Sequence, residues 1–558
     1  MPSQGIFKVL SIQKDHTESI KANLQFKVSF LVDRSQRAWC EGFMYLLGLD
    51  VGTTGCKAVI FTPSGEVFSD AYGEYRLYHR RPEWSELNPE EVWKAVRSTI
   101  RSSIQKANVN PGQIAALSTS VLGEAFFPID RNAEPLYWSM TTFDARAEEQ
   151  TRWWEENFGA DEMYRITGQP LTSSMPIYTL PKIQWLYENE PELFKKAWMF
   201  LCWEDYINLK LCGRPVMDYS VATRTMVFDI RKKVWSSDIL EEAQIDESLL
   251  PEVKPSGTVI GEVSGKAAQE VGLSKGTLVV TGGHDQPCGA LGAGITETGP
   301  AMDATGTVEC IAVVQKELAL TERMRSQGFA VHCYVVDGKY FMLGFNPSGG
   351  VILRWFRDNF AEKDKDNARK MGIDVYDILT GEASKAPPGS VELFLLPYFE
   401  GSGTPTFNRK ARGVFLGLTL AHSKREVVRA ILEGLTYELR SNIEAIGEHG
   451  TDITELRAIG GGAKSKFWLQ LKADITERKV VVPNVTESAA MGAAILAGVG
   501  AKIYGSAEEA VKKVYSVKDT YTPTAEASSI YDRYYGLYKK LYGEFEKTFE
   551  EIEKIRRR

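Results

Sequence analysis

Apolar positions near the start of this chain come in short runs broken by glycine. Leu46–Phe61, LLGLDVGTTGCKAVIF, is an apolar run, a turn at Val51-Gly52-Thr53-Thr54-Gly55, and a second apolar run. That pattern predicts two strands joined by a tight turn. Pro63-Ser64-Gly65 predicts another turn, and a third strand is expected to run through Tyr78. From Asn88 the period changes: Val92, Val96, Ile100 and Ile104 recur every four residues, predicting a helix over Asn88–Ala107. Asn88 suits the N-cap, Pro89 the first helical position, and Glu90 and Glu91 the positive end of the helix dipole. Ile114–Val121 returns to a strand. Strands followed by alternating helix and strand predict a layered α/β fold.

The second half repeats this grammar. Thr277–Thr281 is an apolar strand running into Gly282-Gly283-His284-Asp285-Gln286, with a small-residue helix expected over Cys288–Gly294. Ala301–Val314, AMDATGTVECIAVV, is again strand, Thr/Gly turn, strand, with Thr305, Gly306 and Thr307 at its tip. Asp337-Gly338 between apolar runs signals a hairpin. Ser423–His449 predicts a long helix opened by the capping box Ser423-x-x-Glu426. Strand Arg457–Ile459 runs into Gly460-Gly461-Gly462 and a helix over Lys464–Thr476; strand Lys479–Pro483 and a small-residue helix, Glu487–Gly498, follow. A charged, Tyr-rich amphipathic helix is expected from Ala525.

At 558 residues the chain is too long for one core, so two or more domains are expected. The net charge of −7 argues against a general affinity for nucleic acid or anionic membrane, and no apolar run reaches the length of a membrane span. Seven cysteines without a C-x-x-C pair fit a reducing, cytoplasmic setting. Residues 1–43 differ in character from the rest of the chain. Lys8, Lys14, Lys21 and Lys27 interrupt their apolar character, and Met44 stands immediately before the first strand, so they read as an extension of unclear status.

Glycines let a backbone approach a ligand closely, and the threonines and N–H groups of Gly52, Thr53 and Thr54 can donate to phosphate oxygens. Asp50 beside them suits a magnesium ion held with water and nucleotide phosphates. An ordinary hairpin is the bland alternative, weakened by the similar turn at Gly306 and Thr307. Neither the P-loop pattern nor G-x-G-x-x-G occurs. Two opposed hairpins would hold nucleotide phosphates, and Gly460, Gly461 and Gly462 would be approached by ribose and adenine. Phosphoryl transfer also needs a base to act on the acceptor. Asp285, after an apolar strand and two glycines, is the candidate; capping the following helix is its structural alternative. His284 beside it reads as a packing or hydrogen-bonding residue.

These residues resemble the FGGY carbohydrate kinases over about Met44–Val499. The strongest match is Gly413-Val414-Phe415-Leu416-Gly417-Leu418 followed by Glu426-Val427-x-x-Ala430-Ile431-Leu432-Glu433. Pro82-Glu83-Trp84-Ser85-Glu86 with Asn88-Pro89-Glu90-Glu91-Val92-Trp93, and Pro397-Tyr398-Phe399-x-Gly401…Thr404-Pro405, are also similar to family stretches. The resemblance implies a two-lobed actin-like, Hsp70-like (ribonuclease H-like) ATPase fold with a duplicated domain. The sugar-binding lobe would span residues 44–298, the nucleotide-binding lobe 299–524 and a C-terminal helix 525–558. It also implies ATP and Mg2+ as cofactors, Asp50 near the metal, Asp285 as base, and a small sugar or polyol as acceptor. Dimers are common in families of this type, so a homodimer is the expected assembly.

The match departs around the acceptor. The family's N-terminal signature keeps Thr179, Lys182, Trp185, Leu186, Glu188 and Asn189 but begins with Ile177. Where xylulokinases carry Q-M-H-G, this chain has Leu122-Gly123-Glu124-Ala125, and of the Arg-Glu pair of glycerol kinases only Glu124 is kept. Glu124, Asp144 and Ile177 are therefore the expected acceptor-side residues. A ketopentose such as xylulose is the first expectation, and glycerol, another polyol or a sugar acid the alternative. From a different class, a non-catalytic actin- or Hsp70-like ATP-binding module would need no base and would not carry the Gly413–Glu433 signature.

Overall fold

The computed structural model describes residues 44–556; the extension expected over residues 1–43 lies outside the described residues. The first lobe is built on β1 (Tyr45–Val51), β2 (Gly55–Phe61), β3 (Val67–Glu74), β4 (Ile114–Val121), β5 (Val259–Glu262) and β6 (Leu278–His284), in the order β5-β6-β4-β1-β2-β3. β1, β4 and β6 run parallel, while β2, β3 and β5 are antiparallel to their neighbours. Helix α1 (Pro89–Ala107) packs on β2 and β3, and the Asn88 side chain accepts from the N–H groups of Glu90 and Glu91 as its cap. The third strand stops at Glu74 rather than reaching Tyr78. At Tyr75 the chain turns, its N–H donating to the Thr54 carbonyl, and Leu77–Tyr78 joins a separate small sheet.

The second lobe repeats the arrangement with β7 (Pro300–Thr305), β8 (Glu309–Gln315), β9 (Ala330–Cys333), β10 (Tyr340–Asn346), β11 (Glu455–Gly460), β12 (Lys479–Pro483) and β13 (Val517–Tyr521). Their order is β9-β10-β8-β7-β11-β12-β13. The antiparallel run β7-β8-β10 corresponds to β1-β2-β3, and β11 pairs parallel with β7 as β4 does with β1. In each lobe the glycine turn therefore projects from the same end of a central hairpin.

Two helices of small residues lie between the sheets. α2 (Asp285–Gly292) starts three residues earlier than its small-residue run suggested, because Asp285 and Gln286 occupy the first turn and Pro287 needs no hydrogen-bonded N–H there. It crosses α6 (Ser488–Gly500) so closely that a Cβ on Gly292 would collide with the Ser488 carbonyl and one on Gly492 with that of Cys288. Gly48 of β1 meets the Ala490 carbonyl in the same way. Around this crossing Leu46 and Val59 of the first sheet, Met302 and Ala312 of the second, and Leu291 and Ile495 of the helices form one buried cluster.

The remaining helices of interest belong to the second lobe: α3 (Gly350–Phe360), α4 (Lys424–Glu448, opened by the Ser423/Glu426 capping box) and α5 (Lys466–Thr476). α7 (Ala525–Arg556) lies against α4 and α5. The Tyr531, Tyr535 and Tyr538 hydroxyls of α7 donate to Glu433, Glu444 and Glu438 of α4 at 2.9, 3.0 and 2.6 Å. Among the described residues no helix is long and apolar enough to cross a membrane.

The crossing gives a paired prediction. Gly492→Ala should lower the melting temperature by several degrees, since backbone would have to shift, at a cost of about 1–3 kcal/mol. Gly543→Ala, in the interior of α7 with nothing near its absent Cβ, should raise it through helix propensity worth up to about 1 kcal/mol. Differential scanning fluorimetry of both variants checks the opposite signs.

Candidate active site

Each glycine turn is braced by groups distant in sequence. In the first, the Gly52 N–H donates to the Gly55 carbonyl at 3.0 Å. The Tyr75 hydroxyl reaches the carbonyls of both Gly52 and Gly55, at 2.6 and 3.0 Å. Gly52 and Thr53 stay half-buried and Thr54 exposed, so the tip is open while its base is fixed. In the second, Gly306 and Thr307 are exposed, and the N-terminus of α3 seals the hairpin from behind: the Gly350 N–H donates to Gly306 and those of Gly349 and Val351 to Thr307. The third turn adjoins it, because Thr305 pairs with Gly460 in the sheet. Gly460 has φ +81°, and a Cβ on Gly462 would stand 2.6 Å from that of Thr305, so only glycine fits this approach.

The two hairpins differ in what surrounds their acid. Asp303 is fully buried, and the Lys472 ammonium of α5 bonds it at 2.5 Å, the Thr305 hydroxyl at 2.7 Å and Glu309 at 2.8 Å. Burial alone would drive the Lys472 proton off, but the two carboxylates outweigh it and hold the ammonium charged. Asp50 has no such counter-ion. Its carboxylate accepts one bond, from the Ser120 hydroxyl at 2.9 Å, while nearby Lys57 is engaged with Glu487 at 2.7 Å. Burial lifts the Asp50 carboxyl to about 6 against the pull of the Ser120 bond, and the Glu487 charge adds to the rise. Among the described residues no group of three or more His, Cys, Asp or Glu could hold a metal ion. An acid with a free oxygen beside open glycine turns fits an ion completed by water and phosphates, not one caged by protein.

Asp285 stands at the start of α2, where β6 delivers it to the cleft. A third of its side chain stays open, so its desolvation is that of a groove wall, not of the core. This desolvation and then the Asp50 charge push its carboxyl up to about 7. His284 Nε2 lies 3.1 Å from Asp285 Oδ1. Glu124, 2% exposed, accepts from the Thr142 hydroxyl at 2.6 Å and forms an ion pair with Arg224, whose Nη1 donates to the Gln169 side chain at 2.6 Å. Burial draws the Arg224 guanidinium down to about 9, against the attraction of Asp285. Asp285, Glu124, Arg224 and His284 thus share one wall.

Asp144 and Ile177 come to that wall differently. Both Asp144 oxygens are taken: they bond Arg146 at 2.7 Å each and the Ser85 N–H at 2.7 Å, and Arg146 also pairs with Glu86 and lies over the Trp84 ring. The half-buried Ile177 packs on the main core, and its carbonyl accepts from Lys182 Nζ, which also bonds the Thr141 and Thr142 carbonyls. Burial lowers the Lys182 ammonium to about 7. These residues anchor the segment that presents Thr142 to Glu124. Arg224, Gln169, Tyr75 and Lys472 carry no signal in the sequence, since none lies in a glycine turn or a periodic pattern.

Residues 45–292 match the FGGY family of carbohydrate kinases, N-terminal domain, and residues 302–501 its C-terminal domain. A gluconokinase of Bacillus subtilis (strain 168) is 32% identical over 491 residues, covering 87% of this chain and 93% of that protein. A xylulose kinase of Staphylococcus epidermidis is 30% identical over 494 residues, covering 88% and 95%. Among solved structures, gluconate kinase from Lactobacillus acidophilus superposes with a TM-score of 0.83 at 24% identity, covering 92% of this chain and all of that one, a likeness of fold.

Lys472→Met should leave Asp303 and Glu309 buried without their cation. Its expected cost is about 3–5 kcal/mol of stability, read as a lowered melting temperature and an earlier denaturant midpoint.

Proposed function

The chain belongs to the FGGY family of carbohydrate kinases, which phosphorylate a hydroxyl of a small sugar or polyol at the expense of ATP, and we propose that its acceptor is neutral, a ketopentose such as xylulose first and a short polyol second. The observation that carries this is the closed Glu124–Arg224 pair. A sugar acid needs a cation for its carboxylate, but the guanidinium on this wall is already engaged by Glu124 and Gln169, and the other charges here are the acids Asp50 and Asp285. Hydroxyls, which donate and accept, suit the carboxylate–guanidinium–amide row. The 32% identity to a gluconokinase favours the sugar acid as second reading.

In this reading the acceptor lies against the first lobe (residues 44–298) and the nucleotide against the second (residues 299–524). The triphosphate is held between Gly52, Thr53 and Thr54 on one side and Gly306 and Thr307 on the other, with Gly460, Gly461 and Gly462 bordering the adenosine. Asp50 would hold a magnesium ion with water and phosphate oxygens, and that ion would supply charge neutralisation on the transferring group. Asp285 takes the proton of the acceptor hydroxyl as that oxygen bonds the γ-phosphorus and the bond to ADP breaks. Glu124 and Arg224 orient the other hydroxyls. Asp144, through Arg146, and Ile177, through Lys182, keep the surrounding loop in place.

ADP release from Mg-ATP against xylulose, ribulose, glycerol, erythritol and gluconate tests the assignment. A neutral acceptor should be preferred by at least about tenfold in kcat/KM, and gluconate as the best substrate would overturn it. Asp285→Asn should still bind ATP and lose about 10²–10⁴-fold in turnover. In the wild type kcat should rise with pH through about 7, as Asp285 ionises. The stability effect has the opposite sense. A carboxyl raised on folding favours the protonated form, so its contribution is full below the unfolded value near 3.8, declines as pH rises from there, and is lost above about 7. Asp285→Asn should therefore melt higher than wild type at pH 8, with the difference vanishing near pH 4.

A further inference from the structure

We propose that His284 is a positioning residue for Asp285: its Nε2–H holds one carboxylate oxygen, leaving the other to receive the acceptor's proton, and His332 of the second lobe keeps the His284 ring in that pose. This rests on Asp285 being the base. The step moves one proton, from the acceptor hydroxyl to Asp285 Oδ2, as the new O–P bond forms and the bond to ADP breaks; His284 keeps its own proton throughout.

The geometry is specific. His284 closes β6, and its backbone N–H donates to the Ser220 hydroxyl at 2.9 Å, so the residue is fixed before its side chain acts. The imidazole is 7% exposed and its Nε2 is 3.1 Å from Asp285 Oδ1. With Asp285 ionised, the tautomer that carries its hydrogen on Nε2 meets the carboxylate at that distance and leaves Nδ1 bare. Among the described residues Nδ1 has no partner, and the whole ring is neutral because burial and the Arg224 charge hold its pKa well below the ordinary range.

Room for the ring is built in from both sides. On one side stands Gly123, where a Cβ would come within 2.8 Å of both Nε2 and Cδ2. On the other, the His332 ring stacks on it with centroids 5.5 Å apart and planes 15° from parallel. His332 is fully buried, neither of its nitrogens has a partner, and Phe341 meets it edge-on at 6.1 Å. Its polar atoms are unused, so it serves this site as a flat ring. Its strand β9 belongs to the second sheet but is bonded to the first lobe through Val331, whose N–H donates to the Gly168 carbonyl at 2.8 Å and whose carbonyl accepts from the Gln169 side chain at 2.7 Å. Gln169 is the residue that also binds Arg224. The ring that backs the base's donor and the side chain that steadies the acceptor's guanidinium therefore hang on consecutive residues of one strand.

Steady-state kinetics of His284→Phe, His284→Gln, His332→Ala, His332→Phe and Asp285→Asn, with the preferred acceptor and ATP varied separately, test the inference. His284→Phe keeps the ring and removes the donor; it should lower kcat about tenfold or more with KM for ATP within about twofold. His284→Gln restores an N–H near the same place and should recover most of that loss. His332→Phe should exceed His332→Ala in kcat by at least about threefold, as a stacking role requires. If His284→Phe does not fold, Gly123→Ala, which displaces the same ring, carries the same expectation. Near-normal turnover of Asp285→Asn would remove the base and this inference with it. Collapse of Asp285→Asn beside wild-type kcat in His284→Phe, or equal loss in His284→Phe and His284→Gln, would overturn the inference alone.

Discussion

Two helices touching at their backbones are the constraint on which everything else in this enzyme rests. Where α2 and α6 cross, Gly292 and Gly492 each take a carbonyl of the other helix into the place of a side chain, and Gly48 lets β1 do the same with α6. Close-packed interiors tolerate little volume change, so this contact fixes the distance between the helices more tightly than interlocking side chains would. Both sheets pack their inner apolar faces around it. Because α2 begins at Asp285, the residue proposed as the base belongs to the same rigid piece as the contact between the lobes.

Around that axis the two lobes share a plan and diverge in charge. Both place an acid near the end of the first strand of a hairpin and a glycine turn beyond it. In the second lobe Lys472 gives the acid a direct counter-ion, with Glu309 and Thr305 drawn into the same cluster. In the first, Asp50 keeps, among the described residues, only the Ser120 bond. The duplicated architecture thus provides one acid that holds its hairpin together and one left available to chemistry. The costs fall accordingly, since a buried ammonium with two carboxylates repays its desolvation only when every bond is made.

Much of this is legible from local pattern. The α1 and α4 caps at Asn88 and Ser423, the repeated strand–glycine–strand units and the tyrosine-rich α7 are all short-range signals, and the fold obeys them. The order of the glycine turns, with Asp285 between them, points to a cleft between two similar halves. The rest depends on residues far apart in sequence. Lys472 meets Asp303 across 169 positions and Arg224 meets Gln169 across 55, and no periodicity marks either pair. Asp144 shows the converse. Its sequence context advertises an acid near the acceptor, yet the Ser85 N–H and Arg146 claim both its oxygens. The end of β3 is hidden because Tyr75 is apolar enough to continue a strand, while its hydroxyl is needed under the Gly52 turn.

The clasp between α7 and α4 bears on how the protein is made. Glu433 and Glu438 are buried, and both are held above the ordinary carboxyl range by that burial. The tyrosine hydroxyls that meet them lie 98 and 100 residues further along the chain. A ribosome delivers those acids well before their partners, and domains fold in the order they emerge. The bonds that α7 adds to α4 therefore form last, after α7 has been released from the ribosome. A chain broken off between the two helices leaves each acid one donor short, although Arg429, Ser390 and Gly389 still bond Glu433 and Tyr398 still bonds Glu438.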